Sequence, residues 1–125
     1  MKKFILNLMC LLSTVASIAQ HNIIPAPVSF QSTEGMFMLD NQTSLDVKTT
    51  NPEVKKYAGQ FVTLLGNSGI TIQQKSVAVP SQSDKAIVIN LNVKPVDELG
   101  SEGYTLEISD TKIELLANAP GGIFN

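Results

Sequence analysis

Apolar residues recur along this chain with two different periods, and the change of period marks its elements. After Asn51 the spacing is three to four: Val54, Tyr57, Ala58, Phe61, Val62 and Leu65 fall on one stripe. Asn51 is suited to cap such a helix, and Pro52 suits its first position, where no N–H is needed. Glu53 places an acid near the positive end of the helix dipole. Gly66 or Gly69 is expected to end the helix. The pattern predicts one helix over about residues 52–65, with its aromatic stripe in the core.

Elsewhere the period is two. Val28–Gln31 and Met36–Leu39 are expected to be short strands around a Glu34–Gly35 turn, with Phe37 and Leu39 on one side. Leu45 and Val47 resume the alternation after a break at Asp40–Asn41. Strands are expected again at Ile70–Gln73, Val77–Val79 and Ala86–Val93. In the last of these Ile87, Ile89, Leu91 and Val93 share a face, while Ala86 and Val88 make the other face partly apolar. A strand apolar on both sides belongs in the middle of a sheet. Tyr104, Leu106 and Ile108 then alternate with Thr105, Glu107 and Ser109, the chain turns at Asp110–Thr111, and Ile113, Leu115 and Ala117 answer. This is the clearest hairpin in the chain. The sum is an α+β fold: a mixed or antiparallel sheet with one helix packed on one face.

The first 19 residues follow neither period. Lys2 and Lys3 precede an apolar run from Phe4 to Leu12 broken only by Asn7, and Ser17 and Ala19 are small residues at −3 and −1 of a cut before Gln20. That order is the layout of a secretory signal peptide. The run is too short for a spanning helix, which needs about 20 apolar residues. Cys10, the only cysteine, lies inside the run rather than after small residues at its end, so lipidation is not expected. The expected arrangement is a signal peptide over 1–19 and one domain over 20–125. The product is exported, periplasmic or extracellular, with no membrane span after cleavage and no disulfide.

Composition narrows the function. Net charge is −2 for the whole chain and −4 once the two leader lysines are removed, with a pI near 5.2 and no arginine. That is a poor footprint for a nucleic-acid partner. A chain of 125 residues also has no room for a barrel enzyme of about 250 residues.

No reaction-bearing motif emerges. His21 is the only histidine and has no second ligand nearby. Asp97, Glu98 and Glu102 crowd an acidic loop, but their spacing fits no calcium loop and reads as solvated. Gly121–Gly122 lacks the further glycines and the lysine of a phosphate cradle. Asn41-Gln42-Thr43 satisfies a glycosylation sequon. No catalytic, cofactor-binding or metal residue is assigned, and no cofactor is expected.

Asn22-Ile23-Ile24-Pro25-Ala26-Pro27-Val28, followed by Gly35-Met36-Phe37-Met38-Leu39, resembles the mature start of the β-N-acetylhexosaminidases of glycoside hydrolase family 20. Glu102-Gly103-Tyr104-Thr105-Leu106 with Ile108, Ile113 and the turn Ala117–Pro120 make a second match. Gly122-Ile123-Phe124 makes a third, since in the family a similar Gly-apolar-Phe opens a helix leading to the catalytic barrel.

The resemblance implies a non-catalytic N-terminal domain that packs beside a (β/α)₈ barrel. It implies an exported parent enzyme that removes terminal non-reducing N-acetylhexosamine residues from glycans by substrate-assisted catalysis. The barrel, with its adjacent catalytic Asp and Glu, is then expected beyond Asn125, and the family's second helix is expected to be lost with it. Asp97–Glu98 is not that pair. The partners implied are the barrel of the same polypeptide and the parent's glycan. Two other readings remain open at this point. One is an accessory domain of an O-GlcNAcase-like or α-glucuronidase-like glycosidase. The other is a free-standing secreted interaction or carbohydrate-binding module, which the absence of Trp and the core placement of Tyr57, Tyr104, Phe37 and Phe61 disfavour.

Overall fold

A computed structural model describes residues 26–76 and 85–125 of the chain. The chain divides into two compact units, 1–32 and 33–125. In the first, residues 26–32 form no regular element and are exposed. The strand expected at Val28–Gln31 is therefore absent.

The second unit is built on a five-stranded sheet. Its strands are β1 (Ser44–Val47), β2 (Gln73–Ser76), β3 (Ala86–Leu91), β4 (Tyr104–Ile108) and β5 (Lys112–Ala117). Their order is β2-β1-β3-β5-β4. The first four in that order run parallel, and only β4 is antiparallel, paired with β5. The α+β reading and the mixed sheet hold, and β3 is the central strand.

Register decides the core. Leu45 lies beside Ile87 and Ile87 beside Ile113; Val47 lies beside Ile89 and Ile89 beside Leu115. One face of the sheet thus carries rows of aliphatic side chains, and a helix covers them. This helix, α1, spans Pro52–Asn67. Its stripe delivers Val54 and Ala58 to the buried core, with Phe61, Val62 and Leu65 partly buried against it. The side-chain oxygen of Asn51 accepts from the N–H groups of Glu53 and Val54 at 2.9 and 3.3 Å, as a cap should. At the other end Ile70 N–H donates to Leu65 O and Gly69 N–H to Gly66 O. This paired closure needs a left-handed residue, and Gly69 supplies it with φ +83°. Gly66 stays inside the helix.

The second expected strand, Met36–Leu39, is also absent, for a visible reason. Its backbone groups bond to side chains rather than to a ladder. Met36 N–H donates to Asp110 Oδ1 (2.9 Å), and Met38 O accepts from Lys85 Nζ (3.4 Å). Residues 35–40 therefore form a strap from the β4–β5 turn past the start of β3 towards the start of β1. The alternation was still informative, because Phe37 and Leu39 pack against the core while Met36 and Met38 are exposed.

Two further boundaries move. The strand expected at Ile70–Gln73 begins at Gln73, and Ile72 instead inserts into the core ahead of it. β3 stops at Leu91, so Val93 is off the sheet and exposed. Val77–Val79 lies outside the described residues. The hairpin matches its expectation residue for residue, with Tyr104, Leu106 and Ile108 opposite Ala117, Leu115 and Ile113.

A second helix, α2 (Pro120–Phe124), follows β5 directly. Gly122-Ile123-Phe124 thus lies in a helical turn with Pro120 in its first turn. Ile123 enters the core, and the Phe124 ring lies 5.1 Å from that of Tyr57 on α1. A side chain at Gly122 would collide with the carbonyl of Gly103 and with Ala117, so glycine lets the turn approach the sheet.

The two helix glycines should respond oppositely to alanine. Gly66 has open space around it, so Gly66→Ala should stabilise by up to about 1 kcal/mol. Gly69→Ala should destabilise by about 1–2 kcal/mol through its left-handed backbone. Urea denaturation of both variants checks the signs.

Candidate functional site

The polar residues singled out from the sequence do not converge. Asp97 and Glu98 lie on an exposed 3-10 turn (Asp97–Leu99), and Glu102 is exposed in the turn before β4. Gly121 and Gly122 belong to the first turn of α2, where Gly122 serves packing. His21 and Cys10 lie outside the described residues. In the sequon, Thr43 is buried with its hydroxyl bonded to Asp40, and Asn41 Oδ1 accepts from Thr71 N–H at 2.8 Å. Asn41 thereby ties the start of β1 to the approach of β2. Among the described residues no three His, Cys, Asp or Glu side chains gather to hold a metal ion. No helix among them is long and apolar enough to cross a membrane.

The densest polar arrangement is one that sequence reasoning missed. Asn118 sits between β5 and α2, and its amide is used on both sides. Its Oδ1 accepts from Val96 N–H and from Asn92 Nδ2, both at 2.9 Å. Its Nδ2 donates to Val96 O (2.7 Å) and Gly100 O (2.9 Å). One side chain thus satisfies both backbone groups of Val96 and the carbonyl of Gly100 in the 92–100 loop. Beside it is a shallow, open depression of about 370 Å³, with Pro95, Val96, Asp97 and Ser101 in its wall. Asn118 has no unused group to offer a ligand there. The available signal was its position, a carboxamide two residues before a helix-starting proline.

Two other polar groups hold the sheet's lower end. Asp40 pairs with Lys85 at 2.9 Å. The Lys85 hydrogen bond holds its carboxyl below the ordinary value, helped by donation from Gln42 N–H. Asp46 is almost wholly buried on the face of β1 opposite α1, where it accepts from Ser44 Oγ (3.1 Å) and lies 3.5 Å from Lys48 Nζ. On the same face Glu114 bonds Lys112 at 2.8 Å and raises its pKa. Each group is explained by structure: a latch, a strap clamp and pairing between residues two apart along the chain.

A family model for glycosyl hydrolase family 20, domain 2, matches residues 20–125. The chain belongs to glycosyl hydrolase family 20. No curated protein matches it significantly. The match spans α1, all five strands and α2, so the whole described sheet unit is family-20 domain 2. It selects the family-20 reading over the other glycosidase families. The match supports a family-20 accessory domain and a glycoside hydrolase parent.

Two predictions follow from these polar contacts. Asn118→Ala should cost about 2 kcal/mol, because loop carbonyls and an N–H lose their partner; thermal melts of the variant measure this. Asp40 has a depressed pKa, so its stabilisation is complete above 3.8 and fades as pH falls below that value. Asp40→Asn should therefore flatten the acid limb of the stability–pH curve and leave the slope above pH 5 unchanged.

Proposed function

We propose that this chain is the supporting N-terminal domain of an exported β-N-acetylhexosaminidase. The parent releases terminal non-reducing N-acetylhexosamine residues from glycans. The observation that carries the reading is the family match over residues 20–125. Chemistry belongs to a (β/α)₈ barrel of the same polypeptide. There an Asp orients the substrate's own 2-acetamido group as nucleophile and a Glu acts as general acid, the substrate-assisted form of glycoside hydrolysis. The basic, apolar and small-residue order of residues 1–19 supports export to the periplasm or beyond.

The sheet's surface supports a role in packing. The apolar face is covered by α1 over β1 and β2 and by α2 over β5, but towards β4 it is open. Leu106 and Ile108 are about half exposed, and Phe124 at the end of α2 is 67% exposed. α2 leaves the end of β5 on the side of α1, so a continuing helix running back over β5 would cover Leu115 and Leu106. A sheet with one open apolar strip suits a domain that packs beside a barrel. Asp97 and Glu98 stand exposed on a turn.

Two measurements test this. Reading the coding sequence past residue 125 is expected to reveal about 250 further residues with an adjacent Asp and Glu; a stop codon directly after residue 125 overturns the proposal. The 125-residue chain alone should release no aryl alcohol from an aryl N-acetylglucosaminide. Measurable turnover by pure chain would refute the assignment of chemistry to the barrel.

A further inference from the structure

The two edges of the sheet differ in a way that the packing of its faces does not explain. The β2 edge reads Gln-Gln-Lys-Ser, polar and guarded by Lys75. The β4 edge reads Tyr-Thr-Leu-Glu-Ile, without lysine, proline or bulge, and four of its five residues are exposed.

Hydrogen bonding shows which of its groups point outward. Ser109 N–H donates to Lys112 O at 2.8 Å, so these two residues form a bonded pair. Bonded pairs alternate along an antiparallel ladder, which makes Glu107–Glu114 and Thr105–Leu116 the next ones inward. The N–H and C=O groups of Tyr104, Leu106 and Ile108 therefore face away from β5. Three consecutive outward sets are thus free for another strand, on the residues whose side chains form the open apolar strip.

We propose that two copies of this chain pair through β4, antiparallel and two-fold about Leu106. Leu106 then lies opposite Leu106 of the second copy, and Tyr104 opposite Ile108, so every outward backbone group finds a partner. Thr105 falls opposite Glu107, so no like charges meet within Tyr104–Ile108; Glu102 and Asp110 come opposite each other only beyond the strand ends. Sliding one step towards the turn sets Glu107 against Glu107, and sliding the other way leaves Ile108 opposite Glu102. Charge and hydrogen bonding thus select one register. The two apolar strips join into one ribbon across the axis, and the five-stranded sheets become one continuous sheet. A contact of five residues falls well short of the roughly 800 Å² per partner of a standard interface, so the dimer is weak and concentration-dependent.

The test is residue-resolved amide exchange with sedimentation analysis on the full chain, from micromolar to near-millimolar concentration. The expected result is a rise towards twice the monomer mass, with at least tenfold slower exchange at Leu106 and Ile108. Thr105 and Glu107 should be protected at every concentration. Leu106→Pro removes an outward N–H without touching the bonds to β5, and edge strands tolerate proline; this variant should remain monomeric. A wild-type chain that stays monomeric overturns the proposal. So does association that leaves Leu106 and Ile108 exchanging at their dilute rates, which would mean contact through the face. A folded Leu106→Pro that still dimerises overturns it as well. None of these results bears on the coding sequence beyond residue 125 or on turnover.

Discussion

The fold depends on burying one four-residue strand from both sides. β1 is flanked by parallel neighbours, and all four of its residues are buried. Leu45 and Val47 are its contribution to the core, where they meet Val54 and Ala58 of α1. A strand this short has few backbone bonds of its own, so its position rests on what packs against it. The connection from β1 through α1 to β2 makes that packing local in sequence. β3 and the β4–β5 hairpin then extend the same aliphatic rows at matching heights. Removing the Leu45 side chain would leave a cavity at the point where every other layer takes its register.

Around this core, connections are fixed by a few side chains that replace missing ladder bonds. Asn118 latches the 92–100 loop, Asn41 joins two strand starts, and Asp110 and Lys85 hold the strap. All are short polar side chains, or a lysine, reaching backbone groups that would otherwise lack partners. Glycine does the complementary work where backbones must approach. Gly122 lets the first turn of α2 lie against Gly103, and that approach puts Ile123 into the core. The same turn brings Phe124 to Tyr57, so the two helices meet through aromatic rings above the sheet.

How much of this was legible depended on the range of the information. Periodicity located α1, β1, β3 and the hairpin, because each buries one face and the sequence records which residues lie on it. The hairpin's register was readable as well, since its turn sits between the two strands. Parallel pairing was not readable. Nothing in Leu45–Val47 says that its neighbours are Gln73–Ser76 and Ala86–Leu91, because those partners are chosen by packing over long sequence separations. The strap failed differently: Phe37 and Leu39 alternate as a strand would, but the partners of its backbone are Asp110 and Lys85, distant side chains no local pattern announces. The functional reading rested on an ordered set of motifs rather than on reactive residues. Family 20 was therefore legible, while Asn118, the best-connected polar side chain, was not. Its role exists only once β5 and α2 are in place.

The strap also orders events in time. Met36 meets Asp110 across 74 residues of intervening chain, so this contact forms only after the hairpin exists. A ribosome delivers the strap early and its anchor late. The strap's anchor to Asp110 can therefore close only once the hairpin turn has been made. The contact that closes the sheet's lower end thus also acts as a clock, set by sequence distance, that withholds the finished fold until its last strand has appeared.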